Sequence, residues 1–145
     1  MLLKKAERRF RLETSDYARL AAFRQGLREF LSFSDEAAAR LGLTTQHYQA
    51  MLILRACPEG ERVTINDLAR QLLIKHNSAV GLVDRLTAEG IARRVPSSTD
   101  RRKVELELSP GGRRILAKLA EMHRAELERI GPELKRLIAD VLRTG

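Results

Sequence analysis

Along most of this chain apolar residues recur at spacings of three, four or seven, the period of an amphipathic helix. Between 16 and 41 they fall at Tyr17, Leu20, Leu27, Leu31, Ala38 and Leu41, one face of a long helix that Gly42 ends. From 44 or 45 to 57, Tyr48, Met51, Leu52 and Leu54 predict a second, more apolar helix, closed by Pro58 and Gly60. Thr64-Ile65-Asn66-Asp67 reads as a capping box with Asp67 in the usual Glu position, opening a short helix through Leu68, Ala69, Leu72 and Leu73. A fourth helix is expected over 76–89, where Gly90 suits the C′ position. Ser109-Pro110 caps and starts a fifth, through Leu116, Leu119, Ala120, His123, Leu127 and Ile130. Gly131-Pro132 is expected to break it, leaving Leu134, Leu137, Ile138, Val141 and Leu142 to form a sixth.

One stretch changes period. Residues 100–109 read D-R-R-K-V-E-L-E-L-S, with Val104, Leu106 and Leu108 alternating against Glu105 and Glu107, the pattern of a half-buried strand. Residues 91–95 supply a partner strand and Pro96-Ser97-Ser98-Thr99 the tip between them. The resulting β-hairpin carries Arg93, Arg94, Arg101, Arg102 and Lys103 against one acid, Asp100. Helix, turn, helix, basic hairpin is the order of a winged helix-turn-helix. The fold class expected is mainly α with a small β-hairpin wing.

Charge sharpens this picture. The 145 residues suffice for one domain, and 27 Lys+Arg against 19 Asp+Glu leave a net charge of +8, which favours a polyanionic partner, nucleic acid before membrane. A narrow basic hairpin can lay cations along a DNA minor groove. The single cysteine excludes an intrachain disulfide framework and a multi-cysteine metal site, and fits a reducing cytoplasm. The sequence shows neither an apolar run of the ~18–20 residues that span a bilayer nor a signal-peptide core at its start, so a cytoplasmic location without a membrane partner is expected.

The fourth helix decides where DNA would touch. Ala79, Leu82, Val83 and Leu86 lie at i, i+3, i+4 and i+7 and face the core. The other face then presents Asn77, Val80, Gly81 and Asp84, with Lys75, His76 and Ser78 at its N-terminal end. A Gly there costs about 1 kcal/mol relative to Ala, and close approach to a groove floor is one reason to keep it. Val80 could meet a thymine methyl, and His76, Asn77 or Ser78 a base edge or phosphate. Catalysis finds no support: His47, His76 and His123 are scattered, and Gly111-Gly112 lacks the Lys-Ser/Thr of a phosphate loop. His123, on the apolar stripe of the fifth helix, reads as a hydrogen-bonded core or interface histidine, and Cys57 as a buried structural thiol.

From 64 to 116 the chain resembles the DNA-binding lobe of the MarR family of bacterial winged-helix regulators. Asp84, Arg85, Leu86 and Gly90 fill its D-R-L-x-x-x-G pattern, and Asp100, Arg102, Leu106, Leu108, Ser109 and Gly112 fill its wing pattern. Flanking helices in the right number extend the resemblance over nearly the whole chain. It implies one domain, 1–145, with a DNA-binding lobe at 45–108 and dimerisation helices at 10–42 and 110–145. It implies a homodimeric repressor on a pseudo-palindromic operator, with Arg102 in the minor groove and Asp100 holding that arginine through an ion pair. Where many relatives have Ser/Thr-rich residues followed by Arg, this chain has Ala79, Val80 and Gly81, which shifts the burden to His76, Asn77, Ser78 and the wing. The residues expected at DNA are therefore Lys75, His76, Asn77, Ser78, Val80, Gly81, Arg85, Arg93, Arg94, Asp100, Arg101, Arg102 and Lys103. Relatives commonly bind small aromatic or phenolic acids in a crevice, which here could include Tyr17, Arg24, Phe30, His47 and Met51. No cofactor or metal is expected. Two other readings stay open: a ligand- or protein-binding module whose DNA-reading face has decayed, and a redox-sensing regulator using Cys57.

Overall fold

Two capping boxes and a close glycine contact determine how the winged lobe begins and ends. The computed structural model describes residues 11–143, so the basic stretch at 1–10 and the last two residues lie outside the described residues. Helix α1 (Thr14–Arg40) is followed by α2 (Thr45–Ala56), strand β1 (Val63–Thr64), α3 (Ile65–Leu72), α4 (His76–Ala88), β2 (Ala92–Pro96), β3 (Val104–Leu108) and α5 (Pro110–Leu142). The described residues form two units, one of 11–33 and 124–143, the other of 34–123.

The second unit is the winged lobe. Thr44 caps α2 by accepting the His47 backbone N–H at 3.2 Å, while His47 Nδ1 accepts that of Thr44 at 3.0 Å. Thr64 and Asp67 repeat the arrangement at α3, and hydrogen bonds donated to the Asp67 carboxylate by the Thr64 backbone N–H, the Thr64 hydroxyl and Arg70 hold that carboxyl below the ordinary range. The apolar period predicted for α4 is its buried face, with Ala79, Leu82, Val83 and Leu86 all at most 5% exposed. They meet Met51, Leu68, Leu106, Leu108 and Leu119 in a core built without large aromatics other than Tyr48. His123 is buried there, bonded to Ser34 Oγ at 2.8 Å and to the Leu119 carbonyl at 2.7 Å, and stacked on Tyr48.

The sheet has three antiparallel strands in the order β1-β3-β2, not the two of the expected hairpin. Val63 pairs with Leu106 and Thr64 with Glu105, so the residues that cap α3 also complete the sheet. Gly112 is needed where α5 meets β2: a Cβ there would stand 2.1 Å from the Ile91 carbonyl oxygen. Ser109 closes the same corner, its Oγ accepting the Gly112 N–H at 2.9 Å.

Two helix ends correct the sequence reading. Leu73 is not on the apolar face of α3; it is 91% exposed, in a left-handed C-cap at φ 56°. The Ile74 N–H bonds back to the Ala69 carbonyl, and that closing turn requires the left-handed residue. Nor does Gly131-Pro132 end the fifth helix, for α5 is continuous through Pro132. Gly131 has no Cβ for the proline ring to strike. Beyond it Leu134 and Leu137 pack on α1, close enough that a Cβ at Gly26 would lie 3.3 and 3.0 Å from them. That packing, in the first unit, sustains a helix that local sequence would stop.

Candidate nucleic-acid interface

The outward face of α4 is open and chemically simple. His76, Asn77, Ser78, Gly81, Asp84 and Arg85 are exposed, and Val80 is half-buried. A methyl group added to Gly81 would meet nothing within 4 Å, so packing inside the chain does not require the glycine. Unlike α2 and α3, α4 has no side-chain cap; its N-cap is Lys75, and Asn77 lies inside the first turn. The first amides of α4 therefore remain donors for an external acceptor, with the positive end of the helix dipole behind them.

The wing sorts its five bases into two classes. Across β2 and β3, Arg93 lies opposite Glu107 and donates to it at 2.8 Å, and Arg62 reaches Glu105 and Glu107, each at 3.7 Å. Arg94 pairs with Asp84 of α4. Both arginines are among the residues that the sequence expects at DNA, and both are paired with carboxylates of their own chain. Arg101, Arg102 and Lys103 are exposed and make no ion pair among the described residues.

The tip that carries these three is an ordered turn. Buried Ser97 accepts the backbone N–H groups of Thr99 and Asp100 at 3.3 and 3.2 Å, and the Lys103 N–H bonds to the Asp100 carbonyl at 3.1 Å. Asp100 Oδ1 accepts the backbone N–H of Arg102 at 3.0 Å. This corrects the expected ion pair: Asp100 holds Arg102 by its amide, and the guanidinium has no partner among the described residues. A side-chain carboxylate two residues before an amide closes an Asx-type turn without any long side chain being ordered. Between this tip and the starts of α3 and α4 lies a cleft of about 340 Å³, lined by Thr64, Asn66, Asp67, His76, Arg102 and Lys103 among others.

The residues proposed for an effector are divided between the two units. Tyr17 and Arg24 are exposed and Phe30 is half-buried in the first, while His47 and Met51 are buried in the second. Met51 belongs to the core of the lobe, and His47 Nε2 is buried without a hydrogen-bond partner. Burial lowers the His47 pKa, with Glu89 opposing and Arg85 adding to the effect. Cys57 is half-buried rather than buried, and its thiol is pushed up by desolvation and by Glu61, Asp67 and Glu105. Among the described residues no group of acids, histidines and cysteine could hold a metal, and no helix is long and apolar enough to cross a membrane.

Comparison with known proteins agrees with this fold. The model of the MarR family matches residues 41–103. The transcriptional regulator FarR of Neisseria gonorrhoeae is 31% identical over 98 residues, covering 65% of this chain and 67% of FarR. The transcriptional activatory protein BadR of Rhodopseudomonas palustris is 30% identical over 80 residues, 55% of this chain but only 46% of BadR. In fold, the chain is similar to AbsC, a MarR family transcriptional regulator from Streptomyces coelicolor, with TM-score 0.74, 22% identity and coverage of 86% and 83%. It is similar also to a mutant of MepR from S. aureus bound to an oligodeoxyribonucleotide, with TM-score 0.65, 20% identity and coverage of 86% and 97%.

Proposed function

The chain belongs to the MarR family of DNA-binding transcriptional regulators, and on that premise we propose that it is a homodimeric repressor released from its operator by a small-molecule effector. The observation that carries the DNA-binding geometry is the ordered wing tip. It holds three unpaired cations beside the uncapped, exposed face of α4. In this reading α4 enters the major groove and Arg102 the adjacent minor groove, with half-site centres about one turn (~34–36 Å) apart. Lys75, His76, Asn77, Ser78 and Arg85 reach phosphates or base edges around α4, Val80 and Gly81 approach the groove floor, and Arg101 and Lys103 add phosphate contacts.

Dimerisation through the terminal helices is supported by apolar surface that the chain leaves uncovered. On α1, Tyr17, Leu20, Leu27 and Leu31 are 60%, 39%, 36% and 49% exposed, and on α5 Leu127, Ile138 and Leu142 are 45%, 44% and 73% exposed. Leu137 is buried and Leu134 half-buried, both against α1, so the C-terminal contribution is narrower than the sequence stripe suggests. A symmetric partner would bury what remains. The direction of regulation has a second reading, because BadR is named an activator.

Sedimentation and electrophoretic binding to the DNA upstream of the protein's own gene test this together. A dimer that retards one sequence in preference to others, with a reporter rising when the protein is deleted, is expected. A 16.4 kDa monomer at micromolar concentration, or binding indifferent to sequence, would overturn it.

A further inference from the structure

We propose that Arg94 and Asp84 form a strut that sets the angle of the wing against the recognition helix, so that Arg94 positions the wing and does not contact DNA. This rests on the DNA-binding reading above. The register explains why Arg94 is available for this role. In β2, Ala92 lies opposite Leu108 and Arg94 opposite Leu106, and both leucines are buried. Residues opposite one another across an antiparallel ladder share a face, so Arg94 leaves the sheet on its core side, where α4 packs. Its guanidinium ends on the Asp84 carboxylate, on the exposed face of that helix. Arg93, one residue earlier, leaves from the opposite side and is held by Glu107. Two adjacent arginines thus serve opposite faces of one small sheet.

The pair contributes little to folding. Its side chains are 38% and 60% exposed, and solvent screens an ion pair in that setting. Its leverage is geometric. The strand β2 leaves α4 through Gly90, which turns the chain at φ 70°. A turn at the base and an ion pair on the inner face give the wing two ties to the helix, and two ties fix an angle that one leaves free. The pairing also gives Asp84 a reason to stand on a face turned toward a polyanion. An acid there repels phosphate, and pairing with Arg94 offsets the repulsion.

Operator titrations over a range of salt, with Asp84→Ala, Arg94→Ala, the double variant and Asp84→Glu, test the strut. Each alanine variant is expected to bind about three- to fivefold more weakly at every salt concentration, with an unchanged salt slope, and the double variant no more weakly than either. Asp84→Glu keeps an acid within reach of Arg94 and should stay within about twofold of wild type. Tighter binding by Asp84→Ala, or a slope lower by about one per subunit in Arg94→Ala, would overturn the proposal, because Arg94 would then be a phosphate contact. A wild-type protein that binds no DNA would overturn the reading of function instead. The strut is then decided by amide exchange in the wing of the same variants: exchange over 92–104 that is faster in both alanine variants and no faster still in the double variant supports it, and exchange unchanged from wild type overturns it.

Discussion

The Asp100 carboxylate accepts the backbone N–H of Arg102 at 3.0 Å, so an acid at the wing tip shapes the turn that presents the arginine. Charge and shape can be separated here. Asp100→Ala removes both and should weaken operator binding by about fivefold, the equivalent of a lost hydrogen bond of ~1 kcal/mol. Asp100→Asn keeps the acceptor oxygen while removing the charge, and should bind at least as tightly as wild type. Fluorescence anisotropy with a labelled operator measures both. If the alanine and asparagine variants tighten binding alike, Asp100 acts only as a solvated charge and the turn is irrelevant.

Gly81 has open space around it, so its effects on folding and on binding should have opposite signs. Gly81→Ala is expected to stabilise the free protein by about 0.5–1 kcal/mol through helix propensity. The same methyl group should weaken operator binding if the backbone approaches the groove floor. Thermal unfolding and anisotropy on one preparation give both signs. A variant that is more stable and binds equally well would remove Gly81 from the interface.

The core face of α4 was readable because its period is local: Ala79, Leu82, Val83 and Leu86 are buried as their spacing requires. The strand character of 104–108 was readable for the same reason. Strand β1 was not, since two residues show no alternation and Thr64 already had a role as a cap. The pairing of Arg93 with Glu107 depends on the register of β2 against β3, and that of Arg94 with Asp84 on how α4 packs on the sheet, neither of which shows in the apolar pattern. Pro132 is the clearest tertiary effect, a local stop signal overridden by leucines packed against Gly26. Of the site, the residue types were legible; which cations are unpaired was not.

His47 makes the lobe sensitive to acid. Its Nδ1 can accept the Thr44 N–H only while the ring is neutral, and burial lowers its folded-state pKa below the ordinary 6.5. The folded state then binds fewer protons than the unfolded state. Stability is therefore fully present above about pH 6.5 and declines as pH falls from there through the lowered folded value. His47→Gln retains an acceptor at the same position of the capping box without the titration. Melting temperatures between pH 7.5 and 5.5 should fall more steeply in wild type than in His47→Gln. Parallel slopes would show that the cap does not titrate in this range.

Cys57 lies where a thiolate is disfavoured. Desolvation and the acids Glu61, Asp67 and Glu105 all raise its pKa, which slows reaction with peroxide. Cys57→Ser should leave operator affinity unchanged and give the same response to peroxide as wild type. Release of DNA from oxidised wild type, with none from the serine variant, would instead make Cys57 a sensor.

The central claim, that three unpaired cations on an ordered wing bring Arg102 to DNA, is tested most directly by the salt dependence of operator binding in wild type and Arg102→Ala. Each cation that neutralises a phosphate contributes about 0.9 to the slope of log K against log salt. Arg102→Ala should bind more weakly and lose about one unit of slope per subunit, whereas Arg93→Ala, at a residue already paired with Glu107, should keep the wild-type slope. An unchanged slope in Arg102→Ala, or an equal loss in Arg93→Ala, would contradict the account.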